Sequence, residues 1–354
     1  MNLKFNKNLL FILVLFTSLL GALAIDFNLN YLWATLIFNG IFFTLISLGA
    51  LFFISLSNIF SLSKENSLLV TAKHISLLII PSFIILFTSF IFGSNAVYPW
   101  DKYENVPVFN IIYDFKYFYF SKNAILLKTF CYFLFWFYIL RTVVYNKNNE
   151  YLHLRKVSIR AIIILISTIT FASWDWIISI YENWFSSVWG WYIFTSGFLC
   201  SLSFIAIIYF IYNKQSDKQI LKNSSILLSR FLFFIVIFWF YLWFSQFIIQ
   251  WYNKTEADYW FYKIIFTGIN KNFNYCLIFL NFIVPVLMLL SNKIRSNISI
   301  VFIVSLLIYI GNFINMYLLF FPFIKNGFNL HYLIINMLFN VLMIFTLTRL
   351  KSVN

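Results

Sequence analysis

Ten continuous apolar stretches run along this chain of 354 residues, at roughly 8–25, 32–60, 68–93, 124–145, 157–181, 187–212, 225–251, 273–291, 298–321 and 331–349. A helix needs about 17–25 residues to cross a hydrocarbon layer about 30 Å thick, so each stretch is long enough for one crossing. They are unbroken and do not alternate over about ten residues, which predicts helices and not barrel strands. Composition removes the soluble alternative: 62% of residues are hydrophobic and only 10% charged, against about 45–50% and about 25% in a soluble domain. The expectation is an all-α polytopic membrane protein filling the whole chain. No Gly/Ser linker, repeat or charged tail marks off a soluble domain.

The net charge of +14 would suggest nucleic acid in a soluble protein. Here its distribution along the chain explains it. With the N terminus inside, the inner segments carry 17 of the 25 cations, among them Arg155, Lys156, Arg160, Lys218, Lys222 and Arg295, against Glu65, Glu150 and Asp217. The outer segments hold the other eight, Lys128 included, against seven acids. The positive-inside rule therefore predicts N-in and C-in, and no nucleic-acid partner is needed. Lys4, Lys7 and Ala22-Leu23-Ala24 also fit a cleavable signal peptide, which would leave the second span running the same way. Two outer loops are long, about 94–123 and 252–272, and offer something to dock against on that side.

With charges this sparse, an acid inside a span is informative. Asp175 closes the fifth span in Phe171-Ala172-Ser173-Trp174-Asp175-Trp176-Ile177-Ile178-Ser179. Such an acid costs about 2.5–3.5 kcal/mol at mid-membrane and usually marks function. Thr168, Asp175, Ser179 and Glu182 share one helical stripe, predicting an acid linked by hydroxyls to the outer water and able to accept and pass on a proton. The structural alternative is an acid held by the indoles of Trp174 or Trp176. In the seventh span, Gln246 and Gln250 lie one turn apart ahead of Trp251. They are candidates to bind a carbonyl or hydroxyl of a buried ligand, although interhelical hydrogen bonding explains them equally well. The Trp and Tyr residues around them read mostly as an interfacial belt. Part of the aromatic excess, 48 Phe and 22 Tyr, fits AT-rich codon usage, as does the preference for Lys over Arg. Asn312 and Asn315 share a face of the ninth span and cannot titrate, so any proton path there would run through water.

His74, His153 and His331 fall at depths that do not pair, which argues against b-haem. Cys131, Cys200 and Cys276 stand singly, with no metal or haem spacing.

Taken together, Ser47 to Phe53, Thr170 to Ser179, Asn183 to Ser187, Gly190-Trp191-Tyr192, Phe238 to Phe247 with Trp251-Tyr252, and Gly311 to Tyr317 resemble one family. It is the second large membrane subunit of alternative complex III, a bacterial quinol:cytochrome c oxidoreductase, within the wider NrfD/polysulfide-reductase-like group. The resemblance runs from about residue 35 to 320. It implies two four-helix bundles, at 32–181 and 187–321, with 8–25 and 331–349 flanking. It implies no cofactor bound by this chain, with quinol or quinone as substrate. The implied partners are a paralogous membrane subunit, a multihaem cytochrome and iron–sulfur subunits, in a bacterial inner membrane. The chain departs from the pattern at Tyr181-Glu182-Asn183, where the family has an acid, Pro and His, and at Asn312 and Asn315, where it has His and Asp. The competing class is a solute transporter or a lipid-linked membrane transferase. For the transferase, Asp101, Glu104 and Glu182 would be the acids. For the transporter, Pro81 and Pro285 are weak pointers to broken spans.

Overall fold

A computed structural model of the chain describes residues 29–60, 67–102, 119–145, 151–181, 184–214, 217–253, 256–324, 336–337 and 340. Eight helices among them are long and apolar enough to cross a membrane, and none of the described residues forms a strand. The protein is an all-α polytopic membrane protein. The predicted first span, 8–25, lies outside the described residues, as does most of the tenth, 331–349. Of the tenth, Asn336 and Asn340 face inward, accepting from Asn39 at 2.5 Å and from Tyr309 at 2.8 Å.

The crossings are α1 (Leu29–Ile59); α2 (Ser67–Ser76) with α3 (Ile79–Gly93); α4 (Lys122–Ile139), running on as a π turn through Leu140–Val144; α5 (Tyr151–Trp176); α6 (Trp189–Tyr212); and α7 (Lys218–Asn253). A short α8 (Glu256–Phe266) then caps the bundle, and α9 (Gly268–Ile278) leads through a π turn at Phe279–Ile283 into α10 (Val284–Leu289). After the one-turn α11 (Asn292–Arg295) comes α12 (Ile298–Phe320). Pro81 and Pro285 mark irregularities inside their spans. Pro81 follows the break between α2 and α3, and Pro285 follows the π turn before α10. A proline cannot donate to the carbonyl four residues back, so the helix breaks or widens just ahead of it.

The crossings up to α5 close one ring, in which α1 packs on α3 and α5, and α4 packs on both α3 and α5. The crossings from α6 close a second, with α6 against α7 and α12, and the α9–α10 span against both of those. The rings meet mainly where α1 lies on α6. In lipid no hydrophobic effect drives helices together, so close approach depends on small residues. A methyl group built on Gly49 of α1 would stand 2.5 Å from Ser201 Cβ and 3.0 Å from the Gly197 carbonyl of α6. Hydroxyls in α1 are satisfied within the helix: Thr44 donates to the Gly40 carbonyl, Ser55 to Leu51 and Ser57 to Phe53. By contrast, α4 and α7 expose Leu134, Phe135, Phe234 and Tyr241, the outward apolar face expected toward lipid.

Candidate functional site: a buried ion pair between two membrane helices

The end of α5 and the start of α4 lie side by side and antiparallel, roughly two turns in from the same end of the first ring. On α4 the positions Lys128, Tyr132 and Trp136 recur every four residues and so form one stripe. Opposite them on α5 stand Asp175 and, seven residues earlier, Thr168, separated by the small, buried Ala172. The stripes are joined rung by rung. Lys128 Nζ lies 2.7 Å from Asp175 Oδ1, the Tyr132 hydroxyl donates to Oδ2 at 2.7 Å, and the Trp136 indole donates to Thr168 Oγ1 at 2.8 Å. Trp176 donates across the same interface to Thr129 at 3.0 Å, and Tyr98 donates to the Trp176 carbonyl at 2.8 Å.

Among the described residues this is the one salt bridge. The carboxylate side chain is 0% exposed and the Lys128 side chain 21% exposed. Lys128 also donates to the Tyr119 carbonyl at 3.0 Å and sits 3.4 Å from the centroid of the Tyr119 ring, a cation–π position. Tyr119 precedes the span. Burial and then the Asp175 charge push its phenol up to about 12, so it stays protonated and able to donate to the carboxylate. The ammonium is therefore held between an acid, a backbone carbonyl and an aromatic face. Chemically, this is a carboxylate with two oxygens committed to donors, next to a cation positioned to respond when its charge changes.

The sequence stripe is only partly realised. Thr168 lies on the same face as Asp175, but its hydroxyl donates to the Ile164 carbonyl and accepts from Trp136. Ser179 donates to the backbone carbonyl of Asp175, not to its carboxylate. Glu182 lies outside the described residues. The indole alternative is replaced as well, because Trp176 serves Thr129 and Trp174 Nε1 has no hydrogen-bond partner. Lys128, counted among the outer cations by sequence, is a helix residue whose charge Asp175 neutralises. The signal that could have found it is the Lys128–Tyr132–Trp136 spacing inside the fourth span, at the depth of the acid on the fifth.

The seventh-span candidates separate. Gln246 is buried at the edge of a small cleft in the second ring, whereas Trp251 is 67% exposed. Gln250 belongs to α7, and its side chain lies outside the described residues. Asn315 accepts from the Tyr192 hydroxyl at 2.5 Å and donates to Ser196 Oγ at 3.1 Å; Trp239 donates to the same oxygen at 2.8 Å. Asn312 faces Asn281 at 3.5 Å, where Gly311 leaves room for the Asn281 side chain. No group of three or more His, Cys, Asp or Glu among the described residues is placed to hold a metal ion. No protein-family model and no curated protein matches this chain.

Proposed function

We propose that this protein is an integral membrane subunit of a respiratory quinol-oxidising complex of the alternative complex III kind, with Asp175 acting on the proton released when quinol is oxidised. The observation that carries this reading is the Lys128–Asp175–Tyr132 network, a buried charge pair near one end of a membrane bundle. Intramembrane acids are retained at a cost and are functional-site candidates by default. The resemblance of residues 35–320 supports the same reading. The chain would lie N-in and C-in in a bacterial inner membrane and anchor a paralogous membrane subunit, a multihaem cytochrome and iron–sulfur subunits on its outer side. It would bind no redox centre of its own. In this scheme protonation of Asp175 releases Lys128, and deprotonation restores the pair, so a proton and a lysine move in alternation.

The test is Asp175→Asn in the assembled complex, compared with Lys128→Arg, which preserves the charge. Quinol turnover should fall at least about tenfold, or proton release should uncouple from it, in the first variant, while the second stays closer to wild type. Wild-type turnover and coupling in Asp175→Asn would leave the pair a structural clasp.

The helix breaks ahead of Pro81 and Pro285 favour a second reading, a solute transporter. Gentle detergent extraction separates the two. Co-purification with haem-absorbing proteins is expected, and a lone, colourless, monodisperse protein would instead support the transporter.

A further inference from the structure

In the second ring a partly open cleft of about 30 Å³ lies under the cap helix α8, between the ends of α6, α7, α9 and α12. Its walls combine aromatic rings, including Tyr192, Trp243 and Phe261, with aliphatic and carboxamide side chains, and no charged residue lines it among the described residues. Trp184 of the segment before α6 stacks on Phe261 at 3.9 Å. Five polar side chains on this lining are at least nine-tenths buried, and Trp189 at 0%, Asn274 at 2% and Gln246 at 5% exposure stand apart from Tyr192 and Asn315. Each of these three has a nitrogen without a partner, namely Trp189 Nε1, Asn274 Nδ2 and Gln246 Nε2. The neighbouring polar groups are already used, since Tyr192 donates to Asn315 and Asn315 to Ser196.

Three orphaned donors in a lipid-embedded interior are an uncompensated cost, and a bound acceptor would remove it. An indole N–H can only donate, so whatever meets Trp189 has to present a lone pair. The carboxamides can turn either end toward it. With no cation among the described lining residues, an anion would enter there without a countercharge, so the occupant is taken as neutral. The volume is too small for a ring but accepts the oxygen end of a carbonyl, with the body of the molecule left against the aromatic rim. We propose that this cleft receives the carbonyl oxygen of a neutral, membrane-borne compound, held by the Trp189 indole and the Gln246 and Asn274 carboxamides. Two sources share this chemistry: a flat ring ketone of the quinone type and the ester group of a lipid. The inference rests on the second ring alone and does not require Asp175 to act on protons.

The test uses the purified full chain in an ester-free maltoside detergent, with ¹³C-carbonyl duroquinone and ¹³C-carbonyl dihexanoylglycerol as separate probes. One of them should bind saturably, with its carbonyl stretch moved to lower frequency by the added hydrogen bonds. Gln246→Leu and Trp189→Phe should each weaken that binding about tenfold, with Asn274→Leu replacing either variant if it does not elute as the wild type does. Binding of the ring alone assigns a quinone-type occupant, and binding of the diester alone assigns a lipid. If neither binds saturably, the stretch does not move, or the variants bind like wild type, the proposal is overturned and the cleft holds water only. Probe binding is read on the resting protein without turnover, so this inference and the proton reading fail separately.

Discussion

Lys128→Met should destabilise the protein more than any other single change at the α4–α5 interface, by about 3–5 kcal/mol. The variant leaves Asp175, 1% exposed, with Tyr132 as a donor but without its cation. Removing one partner of a buried pair costs more than the pair itself contributes, because the remaining charge has lost its solvation twice, first to burial and then to the missing ion. Tyr132→Phe removes a hydrogen bond to a charged acceptor and should cost about 1.5–3 kcal/mol. The double variant Lys128→Met/Asp175→Leu removes both charges and should recover most of the loss, since apolar replacement of a whole buried pair is often neutral or stabilising. Unfolding in mixed micelles, followed by tryptophan fluorescence, gives all three values. A Lys128→Met protein within about 0.5 kcal/mol of wild type would mean that Asp175 is already protonated and that no ion pair exists at rest. The double variant also separates clasp from catalyst: restored stability without restored quinol turnover is the result the proton reading requires.

Gly49→Ala should loosen the contact between the two rings. The added methyl group meets Ser201 Cβ at 2.5 Å and the Gly197 carbonyl at 3.0 Å. Neither is the far end of a flexible side chain, so α1 and α6 themselves have to separate. Overpacking of this kind costs about 1–3 kcal/mol, and Gly49→Leu belongs at or beyond the upper end. Ser201→Gly removes the nearer clash and should rescue Gly49→Ala in part, leaving the approach to the Gly197 carbonyl. The same micelle unfolding, run as a double-mutant cycle, reads this as a coupling energy. Additive effects of Gly49→Ala and Ser201→Gly would show that the two positions do not meet.

The apolar runs alone located the helices well. The predicted spans 32–60 and 298–321 correspond to Leu29–Ile59 and Ile298–Phe323 among the membrane-length helices. Span length is set by membrane thickness, a constraint local to each segment, so it can be read without knowing any neighbour. The acid at 175 was legible for the same reason, because one charge in an apolar helix is conspicuous wherever the helix packs. What the hydroxyls around it do was not. Thr168 and Ser179 do lie on its helix, but a hydroxyl in a helix finds its own chain's carbonyl one turn back before it finds a side chain.

The amino-acid order by itself thus determined that this is a multi-spanning helical membrane protein and that Asp175 is its exceptional residue. Only the tertiary structure decided that the partners of Asp175 are Lys128 and Tyr132, 47 and 43 positions away, and that Trp189, Gln246 and Asn274 converge on one cleft. Helical periodicity fixes which residues share a face. Which faces meet depends on small residues such as Gly49 and Ala172 that let particular helices approach, and on the need in lipid to give every buried charge and donor a partner.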